Sequence, residues 1–154
     1  DNKIEELGYS WKPKILTDFE SGLIAAIDEF FQHRGTLHKG CYFHYAQALR
    51  KAFAKCSLDK QEYYQTNIHH HRFYLAWKSL AFVPPFALES AVEEIKFKYL
   101  PTIKGEEAEN SWKAFIDYYE TSWVDRKKVR FMFTYFIEDL DRTNNSTEKW
   151  NLSF

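Results

Sequence analysis

Apolar positions along the chain fall into short runs with different periods. Lys14-Ile15-Leu16-Thr17 is a compact, mostly apolar run of the kind found in a strand covered on both faces, and Asp18 stands at its carboxyl end. From Glu20 to Phe31 the residues Leu23, Ile24, Ile27, Phe30 and Phe31 recur at helical spacing, and Arg34-Gly35-Thr36 supplies a stop, which predicts a helix with one buried face. Leu37 to Phe43 is a weaker strand candidate, interrupted at Lys39-Gly40. His44 then opens a second predicted helix with Tyr45, Ala48, Leu49, Ala52 and Phe53 on one side. The order strand, helix, strand, helix implies a parallel pair joined by a right-handed crossover. In such sheets ligands gather beyond the carboxyl ends of the strands, where Asp18 and His44 fall. Two strands alone make a poor sheet, so part of a larger α/β unit is expected.

Beyond Cys56 the pattern becomes helical throughout. Residues 59 to 82 carry Tyr64, Ile68, His71, Leu75, Ser79 and Phe82 at helical intervals, and Pro84-Pro85 ends the segment. Phe86 to Tyr99 repeats the pattern through Leu88, Val92 and Ile95 and stops at Pro101. Thr102 to Asn110 is polar and reads as a loop, and Trp112 to Tyr119 and Val124 to Leu140 read as further helices. Asn145 lies three residues before Glu148, the spacing of an N-cap followed by an acidic residue in the first turn. At the other end Ile4 to Leu7 is a short amphipathic piece that resembles the tail of a helix whose beginning lies upstream.

Composition fits one domain with a substantial core: 154 residues, 45% apolar, with 14 Phe, 10 Tyr and 5 Trp. A core of large aromatic side chains follows, some keeping a polar tip at the surface. The formal charge of −1 creates no global field for nucleic acid, so any DNA contact would need a local basic face. Arg50, Lys51 and Lys55 form one modest cluster, and Arg126, Lys127, Lys128 and Arg130 another; either is also what a solvated helix face looks like. Two cysteines, Cys41 and Cys56, make no disulfide framework, which suggests a reducing compartment, and no apolar run reaches the roughly 20 residues needed to span a bilayer.

Asp18 and Glu148 are the two carboxylates whose settings suit metal binding, one ending a strand and one opening a helix. Local physics offers an alternative for each, Asp18 as a strand-to-helix N-cap and Glu148 as the reciprocal member of a capping box. Cys41 and His44 have the spacing of half a zinc site, to be completed by Cys56 or one of His69, His70 and His71, although successive histidines on a helix point in different directions. The simplest account of the histidine run is a helix surface. Trp112, Trp123 and Trp150 are either core residues or platforms for bases.

Whole phrases go further. Thr17-Asp18-Phe19-Glu20 before a helix, then Cys41-Tyr42-Phe43-His44 followed by Ala46-Gln47-Ala48-Leu49, then Arg142-Thr143-Asn144-Asn145-Ser146-Thr147-Glu148, occur in the order in which similar phrases occur in the transposase domain of Mutator-like elements. The resemblance implies an α/β, mostly α chain. It would be a partial RNase H-like fold with the α/β segment at residues 1–55, an all-helical insertion at 56–140 and a returning helix with the third acid of an Asp-Asp-Glu set at 141–154. It implies DNA cleavage and joining at transposon ends with two Mg²⁺ or Mn²⁺ ions. Asp18 and Glu148 would be ligands, His44 a further active-site residue and Cys41 a motif residue of open role. Arg50, Lys51, Arg142 and Asn145 are candidate DNA contacts. The implied partners are transposon and target DNA, bound by a homo-oligomer in the nucleus, with no membrane. The family's first acid lies on an earlier strand, expected before Asp1, so the chain by itself is expected not to turn over. The rival from another class is a transposon-derived protein that binds DNA or protein without catalysis, and the plainest is a helical interaction module.

Overall fold

The computed structural model describes residues 14–31, 35–60 and 68–134. Strand β1, Lys14–Thr17, leads into helix α1, Ser21–Phe31; strand β2, Leu37–Gly40, leads into α2, Tyr42–Lys55. The two strands pair in parallel, Lys14 opposite Leu37 through Thr17 opposite Gly40. After these, the regular elements among the described residues are helical: α3, Ile68–Ser79; α4, Leu88–Tyr99; α5, Glu106–Tyr119; and α6, Lys127–Phe133, with 3₁₀ turns at Leu80–Phe82, Pro85–Ala87 and Leu100–Thr102. The chain is therefore α/β in order and mostly helical in content. The Ile4–Leu7 piece, Tyr64, Trp150 and the Asn145–Glu148 turn lie outside the described residues.

Alpha2 is the central element. Its buried Tyr45, Leu49, Ala52 and Phe53 repeat every three or four residues and meet side chains from α3, α5 and α6 in one continuous core. Tyr45 stacks on Phe133 with centroids 5.0 Å apart and meets the edge of Trp123 at 4.8 Å, while Phe73 stacks on Trp112 at 4.1 Å. Offset and edge contacts of this kind add about 0.5–1.5 kcal/mol each beyond area burial. At the centre the Tyr45 hydroxyl donates to the Trp77 carbonyl at 3.1 Å and lies 2.9 Å from the Tyr119 hydroxyl, so the polar tips of two wholly buried phenols satisfy each other.

Several expectations need correction. Beta2 stops at Gly40 and α2 begins at Tyr42, because Cys41, extended at φ −70° and ψ 123°, ends the ladder by donating its N–H to the Thr17 carbonyl at 2.6 Å. Alpha1 buries Ile24 and Ile27, but Leu23 and Phe30 of its apolar stripe are exposed, Phe30 by 70%. In α3 the buried face is His70, Phe73, Tyr74 and Trp77, not the Ile68, His71, Leu75 and Ser79 phase; the larger rings take the core and leave Ile68 and Leu75 exposed. His70 is thus a core histidine and not surface.

The polar stretch after Thr102 is largely helix. Alpha5 starts at Glu106 after Gly105, which sits at a φ of 97°, and Glu106, Glu107 and Glu109 in the first turn suit the positive end of the helix dipole. The helix expected over Val124 to Leu140 starts three residues late, at Lys127, and its positions 135–140 lie outside the described residues. Glu120–Val124 is a π-helical turn whose Asp125 N–H reaches back to Glu120 at 2.9 Å, and it brings Trp123 and Val124 into the core with Tyr119. Alpha6 ends at Thr134, which turns extended at ψ 124°.

The helical block returns the chain to the sheet. Lys39 of β2 donates its ammonium to the carbonyls of Phe131 at 2.9 Å and Thr134 at 2.7 Å, the last free acceptors of α6.

A candidate active site at the carboxyl ends of the strands

Pairing in parallel puts both carboxyl ends on one side of the sheet, and the residues there are Thr17, Asp18, Cys41 and His44. Asp18 is not the N-cap of α1: the helix starts at Ser21, and the Ile24 N–H bonds to the carbonyl of Glu20 at 3.0 Å. One carboxylate oxygen of Asp18 accepts a long contact of 3.4 Å from the Glu20 N–H, at the limit of a hydrogen bond, and the half-buried side chain has no other polar partner among the described residues. The carboxylate is therefore open to solvent.

Two close packings fix the strand end. The Phe19 ring lies directly on Gly40, so close that a β-carbon there would stand 2.1 Å from ring carbon Cζ, and its edge meets Trp123 at 4.9 Å. Glycine at position 40 is thus needed for approach and not for backbone angle. On the other side of the same residue, Cys41 is wholly buried at the N-cap of α2, in the thiol form without a disulfide.

A part-buried polar pair not anticipated from the sequence lies beside Asp18. The Thr17 hydroxyl is 2.8 Å from Nε2 of His38 and donates to the Asp18 carbonyl at 2.8 Å, so Nε2 carries the proton shared with Thr17. Burial pushes the His38 imidazole below its ordinary value, which keeps it neutral, and its Nδ1 is enclosed without a partner among the described residues. The signal was weak: Thr17 closes the Ile15-Leu16 run of β1, but His38 lies beside Lys39 in a strand whose one apolar side chain is Leu37. His44, in the first turn of α2, likewise encloses Nδ1 without a hydrogen-bond partner among the described residues and meets the Phe43 ring edge-on at 5.7 Å.

Arg50 and Lys51 stand exposed further along α2. Glu148, Arg142 and Asn145 lie outside the described residues. Among the described residues no three His, Cys, Asp or Glu side chains come together to hold a metal ion, including the combination of Cys41 and His44 with Cys56 or His69 to His71. Cys56 is part-buried at the far end of α2, and its thiol is pushed up mainly by burial. A hard cation would find one carboxylate ligand here in Asp18 and would need a second from Glu148.

No family model, curated protein or solved structure matches the chain.

Proposed function

We propose that the chain is part of the catalytic core of an Asp-Asp-Glu DNA transposase of the Mutator-like kind. It would have an RNase H-like α/β segment carrying a helical insertion and would act on transposon and target DNA as a homo-oligomer in the nucleus. The observation that carries the reading is the uncapped Asp18 carboxylate at the carboxyl end of β1, next to the Cys41 and His44 turn at the matching end of β2. Support also comes from the return of the helical block to β2 through Lys39, with the phrase Arg142 to Glu148 following in sequence.

Asp18 and Glu148 would hold Mg²⁺ or Mn²⁺, whose chemistry is to activate a water or 3′-hydroxyl and to stabilise the leaving oxygen. The chain's own part is placement. Phe19 on Gly40 fixes the backbone beside Asp18. The neutral, enclosed imidazole of His38 and the Thr17 hydroxyl hold the same strand end without adding a competing positive charge. His44 stands in the first turn of α2, directly after the end of β2.

The test is Mn²⁺ titration by calorimetry, together with nicking of supercoiled plasmid by the full-length protein. Asp18→Asn and Glu148→Gln are each expected to weaken Mn²⁺ binding about tenfold or more and to abolish nicking, with the melting temperature unchanged. Unaltered ion binding and nicking in both variants would refute the assignment. DNA binding with no metal-dependent cleavage would favour a transposon-derived binding protein.

A further inference from the structure

Alpha2 and α3 form an open-sided cavity of about 370 Å³, lined by Tyr42, Phe43, Ala46, Gln47, Arg50, Tyr74 and Lys78. We infer that this cavity takes one nucleotide of an unpaired DNA strand, a reading that rests on the proposed action on DNA and names a substrate subsite for it.

The lining carries the chemistry. Phe43, Ala46, Gln47 and Arg50 repeat at helical spacing along one face of α2, and Tyr74 and Lys78 are one turn apart on α3. The walls are preformed: the Tyr42 ring packs against Phe82 at 5.4 Å and the Tyr74 ring against Phe53 at 4.5 Å. Arg50 and Lys78 bring two positive charges to the cavity. Among the described residues neither is paired with a carboxylate and no acidic side chain lines the space. Gln47 adds a donor and an acceptor for a base edge. Phe43 stays 46% exposed at the rim.

Two cations without counter-ions call for an anion, and an exposed aromatic face calls for a flat π-system. A nucleoside phosphate supplies both. Only an unpaired base can offer its face to such a ring, because in a duplex the faces are covered by neighbouring pairs. The volume suits one small ligand and not a double helix. Phe43 adjoins His44, so a strand held here runs beside the Asp18 end of the sheet.

Binding of a fluorescein-labelled oligothymidylate of roughly 12 nucleotides, followed by anisotropy across a salt series, tests the inference. Wild-type protein is expected to prefer it to a hairpin duplex of equal length. Arg50→Ala combined with Lys78→Ala should lower affinity more than tenfold and flatten the slope of log K against log salt by about 1.4, two phosphate contacts on a single strand. Phe43→Ala should lower affinity about fivefold or more and leave the slope unchanged. Wild-type affinity in all of these variants, or a duplex preference untouched by them, overturns the cavity assignment while leaving the DNA reading in place. Failure of the wild-type chain to bind either DNA overturns both.

Discussion

Gly40→Ala tests how the Asp18 carboxylate is held. An alanine β-carbon would stand 2.1 and 2.2 Å from two ring carbons of Phe19, whereas carbon atoms settle at about 3.5–4.0 Å, so the ring must retreat by about 1.5 Å. Retreat is obstructed on one side by the buried indole of Trp123, whose centroid is 4.9 Å away. Overpacking of this kind costs about 1–3 kcal/mol, which for a chain of this length lowers Tm by about 2–12 °C. Phe19 follows Asp18 directly, so under the proposed function a shift of the ring that moved the carboxylate by about 1 Å would cost about 100-fold in rate.

The assay is a double-mutant cycle by thermal and urea unfolding with Phe19→Ala. Without the ring, Gly40→Ala should be neutral or slightly stabilising, by about 0.4–1 kcal/mol, since Gly40 has no left-handed backbone and alanine restricts the unfolded chain. Equal destabilisation in both backgrounds, or no loss of Tm in the single variant, would refute the argument that glycine is there for Phe19.

Tyr45→Phe removes the donor to the Trp77 carbonyl and the partner of the Tyr119 hydroxyl, all inside the core, and should cost about 1–3 kcal/mol in urea unfolding, with Tyr119→Phe adding less in that background than alone. Stability should also fall on acidification. Trp112 donates to Nδ1 of the buried His70 at 3.0 Å, and burial first, then the neighbouring His69, hold its imidazole below the ordinary value of 6.5. Below about pH 6.5 the unfolded chain therefore takes up a proton that the native chain refuses, so stability present at pH 7.5 is lost progressively toward pH 5. His70→Gln should shrink that loss, and the residue of it belongs in part to His38, shifted in the same direction.

Much of the architecture was readable from side-chain bulk and spacing. Beta1, its acid-tipped end and the inward face of α2 are each specified by apolar residues with a single plausible partner surface. The phase of α3 was not, because Ile68 and Leu75 mark one stripe and Phe73, Tyr74 and Trp77 another. Only the shape of the space left by Trp112 and Tyr119 decides in favour of the rings. Alpha5 was hidden at its start by glutamates that serve the helix end rather than a loop. At the site, the position of Asp18 followed from the strand boundary, but its freedom from capping depended on where α1 begins, a difference of a few residues that propensity does not resolve. The Thr17 and His38 pair needed the strand register, which brings residues 21 positions apart into contact.

The grip of Lys39 on the end of α6 bears on how the molecule can come apart. The two strands among the described residues make a ribbon with too little buried surface of its own to persist unaided. Here one ammonium ties it to two carbonyls more than 90 positions downstream, and Trp123 braces it through Phe19. The ribbon is consequently a tenant of the helices: it should assemble late, after distant segments have met, and open together with them. Trimming away the central helices to obtain a minimal domain would therefore release the very strands that such a domain was meant to preserve.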